Sequence, residues 1–84
     1  MLFVTFLKIV PGKYNKAIKL LKNPKIPNKV KIIQSLWLLG KPDALFLFEA
    51  PDEKTAGEFV IQFGEVTELQ TSLVFPIEQM RWLP

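Results

Sequence analysis

The chain of 84 residues contains no cysteine and no histidine. Without cysteine there is no disulfide to staple a small core and no thiolate chemistry, and the absence fits a cytoplasmic protein. Without histidine the commonest ligand for zinc, haem iron and copper is gone, so neither a metal nor a cofactor is expected. Long apolar runs are also absent: none approaches the ~18 residues that a membrane-spanning helix needs. The opening, MLFVTFLKIVPGKYNK, is apolar but has no basic segment before it and no small-residue cleavage site after it. It therefore reads as a strand and not as a signal peptide. Arginine is nearly absent as well, with Arg81 alone, and residues 1–42 hold no acid at all.

What is present is apolar. Hydrophobic residues make up 49% of the chain, including seven Phe and two Trp. A single domain over residues 1–84 is expected, and a chain of this size buries only about 60–65% of its unfolded surface. Small domains of this kind add a metal, a disulfide or a partner subunit; with the first two excluded, self-association remains. Charge is divided along the sequence. Nine lysines lie in residues 1–42, whereas residues 43–84 carry Lys54 and Arg81 against eight acids. The basic half could meet a polyanion, or oppositely charged sides of one folded unit could orient subunits on each other. The plainer reading is that most of these lysines solvate a helix face.

Met1–Val10 is almost continuously apolar, which predicts a strand covered on both faces. One face carries Leu2, Val4, Phe6, Lys8 and Val10, the other Phe3, Thr5, Leu7 and Ile9. Pro11-Gly12 ends it. From Lys13 to Lys22 the apolar residues Tyr14, Ala17, Ile18, Leu20 and Leu21 share one side of a helix, with Lys16, Lys19 and Lys22 opposite. Asn23 to Asn28, with two prolines, is a loop. Val30–Leu39 alternates as a second strand, placing Val30, Ile32, Gln34, Leu36 and Leu38 together and Lys31, Ile33, Ser35, Trp37 and Leu39 on the reverse. Gly40-Lys41-Pro42-Asp43 has turn composition, and Ala44–Ala50 is a short strand. Asp52 is placed to cap a second helix whose buried stripe is Ala56, Phe59, Val60 and Phe63, ending at Gly64. Val66–Phe75 is the last strand. The segment after Pro76 keeps Ile77, Met80, Trp82 and Leu83, which is too apolar for an idle end.

The order β-α-β-β-α-β predicts an α+β, ferredoxin-like fold with a four-stranded antiparallel sheet of order 4-1-3-2 and both helices on one face. That leaves an apolar sheet face uncovered, and a second copy of the same sheet is its simplest cover. Phe3, Leu7 and Ile9, with Trp82, are the expected interface residues, although the Leu2/Val4/Phe6 set would serve equally well.

Gly40-Lys41-Pro42-Asp43, Leu45–Ala50, Pro51-Asp52-Glu53, Phe59 and Val66…Thr71-Ser72-Leu73-Val74 together resemble the GYD-domain proteins and the ligand-sensing domain of the Lrp/AsnC regulators. The resemblance is clearest over residues 40–75. It implies a homodimeric α/β barrel in which two sheets pack face to face, with further even-numbered assembly, and small-molecule binding beside the turn. Pro42 stands where the families place tyrosine, and Leu69 where the regulators have threonine. No helix-turn-helix lies within these residues, so DNA regulation is not implied.

For small-molecule binding the candidate residues are Asp43, Glu49, Trp37, Ser35 and Tyr14. Glu49, near the end of a central strand, would become an acid or base if buried; paired with a lysine such as Lys8 or Lys41, it is structural. Asp43 could orient a ligand amine or shape its own turn. Trp37 and Tyr14 could line a pocket or simply pack. No catalytic residue is assigned, because Thr5, Gln34, Ser35, Thr67, Gln70 and Thr71 offer hydrogen bonds but no strong base and no thiol. Nucleic acid is not an expected partner, since ALFLFEA lacks the basic-glycine context of an RNA-binding strand. The functional expectation is a non-catalytic binding or assembly module. Alternatives are a small cofactor-independent enzyme of the dimeric-barrel kind and a polyanion binder.

Overall fold

A computed structural model describes residues 1–82, so Leu83 lies outside the described residues. Strands β1 (Leu2–Ile9), β2 (Lys31–Trp37), β3 (Ala44–Glu49) and β4 (Thr67–Val74) alternate with helices α1 (Tyr14–Lys22) and α2 (Glu53–Val60) in the order β1-α1-β2-β3-α2-β4. A 3₁₀ turn over Ile61–Phe63 extends α2, and another covers Ile77–Gln79. None of the helices is long and apolar enough to cross a membrane among the described residues.

Each element begins and ends for local reasons. β1 stops at Pro11-Gly12, where Gly12 has φ +86, a conformation open to glycine and costly for a side chain. α1 closes on Asn23, whose N–H donates to the Lys19 carbonyl, and Lys19 and Lys22 sit in its last turn, where positive charge suits the helix dipole. The Asp52 side chain accepts from the Thr55 N–H at 2.8 Å and caps α2. That bond holds the Asp52 carboxyl below its ordinary value of 3.8.

The four strands form one sheet in the order β2-β3-β1-β4; read from the β4 edge it runs 4-1-3-2. Every pairing is antiparallel, an arrangement compatible with a ferredoxin-like fold. β1 pairs with β4 along its whole length, from Leu2↔Val74 to Ile9↔Thr67. β2 is less regular: its register against β3 slips between Ile32 and Gln34. This bulge corrects the strict alternation expected there. Ile32 lies opposite Phe48 and shares a face with Ser35 and Trp37, while Gln34 and Leu36 turn to the other face.

The helix-covered face is phenylalanine-rich. Phe48 and Phe59 stack edge to face with centroids 4.9 Å apart, Phe46 lies 5.3 Å from Phe63, and Phe3 lies 5.6 Å from Phe48. Five of the seven phenylalanines therefore meet in one cluster, with Leu20 and Leu21 of α1 packed against it. Polar groups on this face are satisfied internally. The hydroxyls of Thr5 and Thr71 share a hydrogen bond of 2.8 Å, and Thr67 donates to the Phe63 carbonyl at 2.7 Å.

This packing corrects one expectation. Phe3, Leu7 and Ile9 are 3%, 0% and 8% exposed, so they belong to the core and cannot form an interface. Because side chains alternate along a strand, the uncovered face instead carries Leu2, Val4 and Phe6 of β1, Leu45 and Leu47 of β3, and Leu36 of β2. All are half-buried or exposed.

Candidate functional site

The residues singled out from the sequence do not converge. Trp37 and Tyr14 meet edge to face, 6.1 Å apart, at the edge of the sheet where α1 starts. Ser35, Trp37, Ile18 and Leu21 line a cleft there of only about 130 Å³, below the ~300 Å³ at the small end of ligand sites. Glu49 is elsewhere. It is exposed at the far end of β3, opposite Leu2 of β1 and Lys31 of β2, beside a shallow hollow of about 390 Å³. Lys8, named from the sequence as its partner, lies at the other end of β1, across from Glu68.

Asp43 is committed to the fold. Its Oδ2 accepts the Ile9 N–H at 2.8 Å, its own N–H donates to the Leu7 carbonyl at 3.0 Å, and its carbonyl accepts from Leu38 at 2.9 Å. One residue thus ties the turn after β2 to the end of β1. The Lys41–Pro42 peptide before it is cis.

The larger feature is the open face itself. Its centre is apolar: Val4 lies opposite Leu47, and Phe6 opposite Leu45. Each end is charged, with Lys31 and Glu49 paired across strands at one end and Lys8 and Glu68 at the other. Next to the second end, Phe6, Lys8, Lys41, Pro42, Glu68 and Gln70 border an open groove of about 590 Å³. Sequence reasoning placed a site at the 40–43 turn but chose Asp43, which points into the fold. The meeting of Lys8 and Glu68 beside that turn went unread, because the two lie far apart in the chain and only the β1–β4 register brings them together. Among the described residues no cluster of acids could hold a metal ion.

The division of charge along the sequence becomes a division across the sheet. α1 carries Lys16, Lys19 and Lys22, and β2 begins at Lys31. α2 and β4, packed over β1 at the other side, carry Glu53, Glu58 and Glu68. Where the two sides meet, Lys16 and Glu65 form a solvent-exposed ion pair at 3.6 Å, which stabilises little. The segment Phe75–Trp82 follows β4. Phe75, Ile77 and Trp82 are 48%, 81% and 67% exposed, and Phe75 touches Trp82 with ring centroids 6.0 Å apart.

Compared with protein-family models, curated proteins and solved structures, the chain has no significant match.

Proposed function

We propose that this chain is an assembly module whose working unit is a homodimer, two copies packing their open sheet faces together into a dimeric α/β barrel. The observation that carries the reading is the composition of that face. It has an apolar centre of Val4, Phe6, Leu45 and Leu47 between charged ends, the layout of a protein interface with an apolar core and a polar rim. The resemblance to dimeric-barrel families over residues 40–75 points the same way. The test is native mass spectrometry beside sedimentation, on the unmodified protein and on Leu47→Lys. The expected result is a dimer that Leu47→Lys turns into a monomer with unchanged circular dichroism. A monomeric unmodified protein at tens of micromolar would sink the reading.

A small-molecule role within such a dimer is a second reading, favoured by Gln34, Gln70 and Ser72. These polar side chains share the open face and would need partners once covered. Extra mass retained on the dimer would support it. The enzyme alternative has less behind it, since among the described residues Ser35 and Trp37 line one cleft and Glu49 borders a different hollow.

A further inference from the structure

We propose that the Phe75–Trp82 segment is an exchanged arm: in the dimer it crosses to the second copy and lies in that copy's groove beside Phe6, Lys8, Lys41 and Glu68. The inference rests on the face-to-face dimer proposed above.

Three observations lead to it. First, the arm does not belong to its own core. Ile77 and Trp82 are 81% and 67% exposed, and the arm's backbone bonds among the described residues are local, from Gln79 to Pro76 and from Met80 to Ile77. The radius of gyration is 13.6 Å and the longest dimension 45 Å, whereas a compact chain of this length has a radius of about 12 Å. A segment reaching past the sheet produces this kind of excess. Second, arm and groove sit at opposite ends of the open face. The arm leaves beside Leu2, which pairs with Val74, and the groove lies beside Lys8, which pairs with Glu68. Two sheets facing each other about a two-fold axis perpendicular to the strands bring the first end of one copy against the second end of the other. The arm's exit thus lies against the partner's groove, well within the roughly 28 Å that eight residues can span at most.

Third, the two surfaces are complementary. The arm offers the apolar side chains of Ile77 and Trp82 and two charges, Glu78 and Arg81. Across the groove, Phe6 and Pro42 are apolar, Lys8 and Lys41 suit Glu78, and Glu68 suits Arg81. An exchanged arm would cover the groove.

The absence of cysteine makes the test clean. Gln70→Cys, in the groove, and Gln79→Cys, on the arm, are prepared as two separate full-length proteins distinguished by isotope mass, mixed, allowed to exchange and mildly oxidised. Neither protein alone can form a 70–79 disulfide, so that bond reports only contact between copies. The expected result is a mixed 70–79 disulfide several-fold above the two homodisulfides, together with a tenfold or greater weakening of the dimer by Arg81→Glu that Glu68→Arg restores. A dimer in native mass spectrometry with the mixed disulfide only at the statistical level, as when each arm folds back on its own copy, overturns the arm exchange and leaves the barrel standing. A monomer removes both.

Discussion

The two faces of the sheet are built from the same strands, and β1 gives each of them three apolar side chains, yet they end up in different surroundings. On one, Phe3, Leu7, Phe46 and Phe48 vanish beneath two helices. On the other, Leu2, Val4, Leu45 and Leu47 remain partly open to water. Aromatic side chains distinguish the faces: the covered one carries phenylalanines that reach up to Phe59 and Phe63, whereas the open one is mostly aliphatic. Large rings fill the deeper space between sheet and helix, and shorter branched chains give a flatter surface suited to a second sheet about 10 Å away. Apolar content alone therefore does not say which face is the core.

The comparison is sharpened most by Phe59→Ala. Phe59 is fully buried and contacts Phe46, Phe48 and Phe63, and its truncation is expected to cost about 3–5 kcal/mol, a large part of a small domain's stability. Urea unfolding measures it. Phe6→Ala on the open face is the matched control, expected to leave monomer stability within about 1 kcal/mol; equal losses at the two positions would erase the distinction between the faces. Next in size, Asp43→Ala removes the acceptor of the Ile9 N–H and is expected to cost about 1.5–3 kcal/mol. A variant as stable as the parent would return Asp43 to the pool of ligand-binding candidates.

Smaller still is Thr5→Val, which strands the Thr71 hydroxyl and is expected to cost about 1–2 kcal/mol. Thr5→Val combined with Thr71→Val should cost less than the two single changes added together, because the broken bond is then counted once. The smallest effect concerns Asp52, whose carboxyl titrates below its ordinary value because it accepts from the Thr55 N–H. A depressed folded value means that the cap contributes fully above the unfolded value of 3.8 and loses its contribution as pH falls through the lower folded value. The Thr55 amide shift should report that loss in acid, and in Asp52→Asn it should stay flat over the same range.

Much of the architecture was legible along the chain. The Ala56, Phe59, Val60, Phe63 stripe predicted the buried side of α2, and all four are buried. The Asp52 cap was readable because it depends on neighbours three residues apart. Less was legible wherever partners are distant. The β2 bulge resets which residues of Val30–Leu39 face the helices, and a period of two cannot announce its own interruption. The candidate site residues scattered for the same reason: Glu49, Asp43 and Trp37 are near in sequence, but the strand between them carries Glu49 to the opposite end of the sheet.

The sequence by itself determined the elements and their order, since propensity, capping and hydrophobic period act within a few residues. It also determined that this chain makes no disulfide, having no cysteine. Only the tertiary structure decided which face of β1 is the core, because Leu2/Val4/Phe6 and Phe3/Leu7/Ile9 are equally apolar and alternate perfectly. Helices docking on the phenylalanines of β3 broke that symmetry, and the β1–β3 register then fixed the open face for all the strands paired with them.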